Sequence, residues 1–210
     1  MMHPILRFIF VLLLVIKPLT AAADNTILIL GDSLSAAYGL KQEQGWVKLL
    51  QDKYDEKDQS VYLVNASISG ETTGGALRRL DALLREFEPT HVLIELGGND
   101  GLRGFPIKRL QTNLRDLITK SQQIGAKTAV MEVQIPPNYG PRYTKLFTDS
   151  FKTIADETDS ELMPFFMLSI AGRPELMQND NLHPNADAQP LIRDFMYKTI
   201  NDWLDLTLAH

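Results

Sequence analysis

Short runs rich in Val, Ile and Leu alternate along the chain with longer stretches whose apolar residues recur at helical spacing, and this alternation most restricts how it can fold. The apolar runs fall at residues 26–30, 61–65, 91–96 and 127–134, with a weaker one at 161–164. The first four are apolar on both faces, which suits strands of a parallel sheet covered on both sides. Helical patterns fall at residues 46–54, 76–87, 107–123, 144–157 and 187–206. In the second, Leu77, Leu80, Leu84 and Phe87 share one stripe, and in the third Leu110, Leu114, Leu117 and Ile118 do the same. Such stripes read as core. Alternating strands and helices with right-handed crossovers predict a three-layer α/β/α sandwich around a parallel sheet.

The first 23 residues read differently. His3 and Arg7 give a short basic start, residues 8–16 are unbroken apolar, Lys17-Pro18 ends the run, and Ala21-Ala22-Ala23 offers a small-residue cleavage site. This order predicts a secretory signal peptide cut after Ala23. The run is too short for a membrane span, which takes about 20 apolar residues. Cleavage would reduce the 210-residue chain to 187 residues, the domain 24–210. It would remove Arg7 and Lys17 but no acid, taking the net charge from −5 to −7. An acidic chain without a basic stripe argues against nucleic acid and against docking on anionic lipid. The chain has no cysteine, so thiol catalysis and cysteine metal sites are excluded. No Walker loop or Gly-x-Gly-x-x-Gly turn supports nucleotide binding.

Four polar segments stand out. Gly31-Asp32-Ser33-Leu34-Ser35 follows the first strand, residues 65–73 the second, and Gly97-Gly98-Asn99-Asp100-Gly101 the third. Asp180-Asn181-Leu182-His183-Pro184 precedes the last helix. In a parallel sheet the first three loops share one edge, where open α/β sheets bind ligands. Ser33 is a candidate nucleophile, which needs a base and oxyanion donors. Of the histidines beyond residue 23, His91 opens a strand at the opposite edge and His210 is terminal, so His183 is the candidate base. Asp180, three residues earlier, is placed to orient its imidazole. The backbone N–H groups of Ser33 and Gly70 and the side chain of Asn99 are candidate oxyanion donors. Asp32 and Asp100 read as loop organisers. Each segment also has a purely structural reading: Gly70 as a turn, residues 97–101 as a loop, and His183-Pro184 as a helix entry capped by Asp187.

Together these residues resemble the SGNH hydrolase superfamily, also called the GDSL family. Ser33, Gly70, Asn99 and His183 match its four namesake positions, and Asp180 matches its triad acid. Residues 65–72, 95–105, 137–143 and 180–190 are similar to its bacterial subfamily of multifunctional thioesterase/protease/lysophospholipases and periplasmic arylesterases. The resemblance implies a flavodoxin-like five-stranded sheet in the order 2-1-3-4-5. It implies hydrolysis of acyl thioesters, aryl esters and lysophospholipids without metal or cofactor, by a secreted, periplasmic monomer. It also implies that residues 101–106 move on acyl binding. Leu102, Phe105, Ile107, Pro137 and Tyr139 are candidates for an acyl groove, or else ordinary loop-packing residues. Two other readings stay open: a carbohydrate O-acetylesterase using the same triad, and a non-enzymatic binding protein.

Overall fold

The computed structural model describes residues 25–206, so the expected signal peptide and His210 lie outside the described residues. Five strands, β1 (Asn25–Gly31), β2 (Val61–Asn65), β3 (His91–Glu95), β4 (Lys127–Met131) and β5 (Glu161–Met163), form one sheet in the order β2-β1-β3-β4-β5. Every neighbouring pair is parallel, as the alternation predicts. The register sets Ile29 beside both Asn65 and Leu93, and Gly31 beside Glu95. The loops after β1, β2 and β3 therefore leave the sheet at nearly one level.

Helices α1 (Trp46–Glu56), α2 (Thr73–Phe87), α3 (Gly98–Leu102), α4 (Ile107–Gln123), α5 (Pro141–Thr158) and α6 (Gln189–Trp203) connect and follow the strands. α1 lies against α6, and α4 lies between α2 and α5. Right-handed crossovers put the first pair on one face of the sheet and the other three on the opposite face. Ile27, Leu28, Ile29 and Leu30 are all fully buried because both faces are covered. The α4 stripe Leu110, Leu114, Leu117 and Ile118 is buried as its spacing predicts. Each such side chain contributes about 1.5–3 kcal/mol. Among the described residues no helix is long and apolar enough to cross a membrane.

Several boundaries differ from the sequence reading, each for a local reason. β4 stops at Met131 instead of running to residue 134, because the Val133 N–H turns back to the Met131 carbonyl at 2.9 Å. The prolines that follow have no N–H to extend a ladder. α2 begins at Thr73 and not at Ala76: the Thr72 hydroxyl accepts from the Gly75 N–H at 3.1 Å, a cap that overrides the poor helix propensity of Gly74-Gly75. α5 starts earlier than residue 144, on Pro141 at the first-turn position that suits proline. At the entry to α6 the Asn185 side chain, and not Asp187, accepts from the Asp187 and Ala188 N–H groups, at 3.0 and 3.2 Å. α3, read from sequence as loop, is one turn of helix. It starts after Gly97, whose φ of +117° favours glycine and where a Cβ would lie 2.9 Å from Phe151 Cζ.

Candidate active site

The Asp32 side chain shapes the turn after β1. Its Oδ1 accepts from the Leu34 N–H at 3.1 Å, and the Ala36 N–H returns to the Asp32 carbonyl at 3.0 Å. This presents Ser33 at the carboxyl edge of the sheet, with its Oγ 2.8 Å from His183 Nε2. The other ring nitrogen of His183 meets Asp180 Oδ2 at 2.6 Å. Asp180 Oδ1 also accepts from the Leu182 and His183 N–H groups, at 2.9 and 3.0 Å, so the loop and the ring are fixed by one carboxylate. Burial pushes that carboxyl up, but the bonds from the His183 backbone, the His183 ring and the Leu182 N–H outweigh it and hold it down at about 2. Asp180 is therefore ionised at neutral pH. An ionised acceptor assigns the Nδ1 proton to the Asp180 side and leaves Nε2 free to accept from Ser33.

Ser33, Gly70 and Asn99, the residues of the three candidate oxyanion donors, line the same cleft. Among the described residues neither the Ser33 nor the Gly70 N–H donates to a protein acceptor. Gly70 has φ +77°, and its carbonyl is turned away to accept from Arg103 Nη2 at 3.1 Å. The Asn99 amide gives one N–H to Asp32 Oδ2 at 3.1 Å, which leaves its second N–H available. Asp32 thus does more than organise its own loop. Burial raises its carboxyl to about 6, against the lowering influence of the Leu34 N–H, His183 and Asn99. Asp100 behaves as read: both its oxygens bind Thr73, through the backbone N–H at 2.9 Å and the hydroxyl at 2.7 Å, tying α3 to α2.

Sequence reading overlooked Glu95, the last residue of β3. It is fully buried beneath the Ser33 turn. Its Oε2 accepts from the Ser35 hydroxyl at 2.7 Å and the Asp32 N–H at 3.4 Å, while Oε1 has no partner among the described residues. Burial, and then the neighbouring Asp32 charge, push its carboxyl well above the usual range. The available signal was a glutamate closing an otherwise apolar strand.

Ser33, Gly70, Asn99 and His183 open on a cleft of about 630 Å³. Of the five acyl-groove candidates, Leu102 and Pro137 line it. The other three lie off it. Tyr139 faces a separate hollow and donates its hydroxyl to the Leu102 carbonyl at 3.0 Å. Phe105 sits beneath the Arg109 guanidinium at 4.6 Å, and Ile107 packs against the core. The rest of the apolar wall comes from Leu34, in the selected Gly31–Ser35 segment, from Ile135, two residues before Pro137, and from Val133, Phe165, Met167 and Met177. His91 lies at the amino edge of the sheet, as expected. It is buried edge-on against Trp203, and burial, helped by Lys127, lowers its ring to about 4.

A parallel α/β/α sheet carrying Ser33, His183, Asp180, Gly70 and Asn99 at one edge is the architecture of an acyl hydrolase, and the chain belongs to the GDSL-like lipase/acylhydrolase family, whose model matches residues 29–190. Its individual relatives narrow the class. Over 195 residues it is 45% identical to the thioesterase 1/protease 1/lysophospholipase L1 of Escherichia coli (strain K12), covering 93% of this chain and 91% of that protein. It is 46% identical over 174 residues to the arylesterase of Vibrio mimicus, covering 83% and 87%. Among solved structures it is similar to the psychrotrophic esterase EstA from Pseudoalteromonas sp., in a form inhibited by monoethylphosphonate. That likeness has 70% identity and a TM-score of 0.86, over 87% of this chain and 100% of the other.

Proposed function

We propose that the protein is a serine esterase and thioesterase that hydrolyses fatty acyl esters and thioesters, among them aryl esters, lysophospholipids and acyl-CoA, through an acyl-enzyme on Ser33. The observation that carries this reading is the continuous line from Ser33 Oγ to His183 Nε2 at 2.8 Å and from His183 Nδ1 to Asp180 at 2.6 Å, opening on an apolar-walled cleft. The names of the relatives, which include thioesterase, lysophospholipase and arylesterase, support the substrate range.

His183 Nε2 takes the Ser33 proton as Oγ bonds to the acyl carbon, and the carbonyl electron pair moves onto oxygen. The resulting oxyanion is held by the Ser33 and Gly70 N–H groups and the free N–H of Asn99. Collapse breaks the bond to the leaving oxygen or sulfur, which receives the proton from His183. Water then gives a proton to the same nitrogen, attacks the acyl-Ser33 ester and releases the acid, and Ser33 recovers its hydrogen. Asp180 stays ionised throughout and stabilises the imidazolium. These residues carry every proton transfer without an added metal or cofactor. The leader at residues 1–23 supports export, and we place the mature domain 24–210 in the periplasm as a monomer. Sequencing the processed amino terminus and light scattering check those two points.

An acyl-chain profile of the purified protein tests the function. The apolar cleft predicts that kcat/KM rises from acetyl to octanoyl p-nitrophenyl esters. A strong preference for acetyl contradicts it and favours a carbohydrate O-acetylesterase.

A further inference from the structure

In the acyl-transfer reading, on which this inference rests, His183 hands its proton to the departing atom. The leaving group must therefore sit within hydrogen-bond reach of His183 Nε2, beside that ring. One aromatic ring among the described residues touches His183: that of Tyr38, with centroids 4.3 Å apart and planes inclined at 35°. Tyr38 lines the cleft and is 47% exposed, so part of the ring surface remains open to a ligand.

The ring is held in place through its backbone. The Tyr38 N–H donates to the Ser33 carbonyl at 3.3 Å, on the nucleophile's own turn. The Tyr38 carbonyl accepts from Gln178 Nε2 at 2.8 Å, and the same nitrogen reaches the Pro184 carbonyl at 3.0 Å. The Gln178 backbone N–H donates to the His183 carbonyl at 2.8 Å. Gln178 thereby clamps the segment carrying Ser33 and Tyr38 to the loop carrying His183. The clamp needs the neighbouring Gly39, which has φ +72° and where a Cβ would lie 2.4 Å from Gln178 Oε1. The Tyr38 hydroxyl has no partner among the described residues, and the ring lines the cleft beside His183.

We propose that Tyr38 is the platform of a leaving-group subsite for aromatic alcohols: the aryl ring stacks on Tyr38 while its ester oxygen meets His183 Nε2. The C–O bond to that oxygen breaks as the Nε2 proton moves onto it, and the phenol leaves from the face of Tyr38. Offset or tilted ring pairs of this kind contribute selectively to aromatic partners beyond the area they bury.

The test compares kcat/KM, which reports the acylation step, for phenyl and ethyl esters of butyric acid in wild type, Tyr38→Leu and Tyr38→Phe. The subsite predicts that Tyr38→Leu lowers the phenyl-to-ethyl ratio about three- to tenfold while Tyr38→Phe keeps it close to wild type. An equal fall for both esters in Tyr38→Leu would show that the ring only supports His183 and would overturn the subsite, as would an unchanged ratio. A Tyr38→Phe variant that loses the ratio as Tyr38→Leu does would overturn stacking in favour of the hydroxyl. A wild type inactive on both esters would defeat the acyl-transfer reading itself.

Discussion

The side-chain amide of Asn99 donates to Asp32 Oδ2 at 3.1 Å, so the residue before the proposed nucleophile orients the proposed oxyanion donor on α3. The two residues are 67 positions apart and meet because β1 and β3 are parallel neighbours in register at Gly31 and Glu95. The bond fixes which Asn99 N–H is spent and which is left for substrate. Removal of Asn99 as alanine is expected to lower kcat by about 10²–10³, the usual loss for one oxyanion donor. Asp32→Ala is expected to cost about 10–100-fold, because Asn99 loses its orientation. The double variant should cost less than the product of the two single losses, since either change breaks the same Asn99–Asp32 bond. Additive losses in a double-mutant cycle would show that Asp32 acts elsewhere.

Glu95 and its pH dependence follow from burial. Its folded carboxyl titrates well above the unfolded value of about 4.5, so the native state holds a proton that the unfolded chain releases. The stability this confers is complete below the unfolded value and is lost as pH rises towards the folded one. Glu95→Gln keeps an acceptor for Ser35 and cannot ionise, so its Tm should exceed that of wild type by a margin that grows as pH rises above the unfolded value of about 4.5. Glu95→Ala should be less stable than wild type by about 1–3 kcal/mol, because the Ser35 hydroxyl and the Asp32 N–H are left without it. Thermal melts across that range decide the point.

Asp180 shifts in the opposite sense. Its carboxyl is held at about 2, below the unfolded 3.8, so its contribution is present above the unfolded value and lost only as pH falls through about 2. Asp180→Asn removes the charge that holds the imidazolium and the acceptor that sets its tautomer. A fall in kcat of about 10²–10⁴ is expected, and raising the pH should not restore it. A pH–rate profile that recovers at alkaline pH would contradict this role.

The cleft wall yields a prediction on chain length. Leu102 lines the cleft and Phe105 does not. Leu102→Ala should lower kcat/KM for octanoyl esters about 5- to 30-fold while sparing acetyl esters, given about 0.8 kcal/mol per buried CH₂. Phe105→Ala should leave the acyl-chain profile as it is. A profile altered by Phe105→Ala alone would reverse the assignment.

Much of this was legible before any coordinates, because the signals are local. β1 announces itself as an apolar run ending in Gly-Asp-Ser, and His183 lies three residues after an acid that can reach its ring. The sheet order came through family likeness. The features that escaped are those set by contacts distant in sequence or by the direction of a side chain. Glu95 finds Ser35 across 60 residues, and no periodicity marks that pair. α3 is one turn long, too short to show an amphipathic stripe. Phe105, Ile107 and Tyr139 stand close in sequence to residues that line the cleft, yet their side chains point elsewhere. Phe165 and Met167, which do line it, follow the weakest strand of the sheet.

The most direct test is to treat the protein with a fluorophosphonate and map the adduct by tandem mass spectrometry, alongside Ser33→Ala. One stoichiometric adduct is expected, on Ser33, with a Ser33→Ala variant that keeps its fold and loses both labelling and ester hydrolysis. An adduct on another residue, or hydrolysis by folded Ser33→Ala at the wild-type rate, would contradict it.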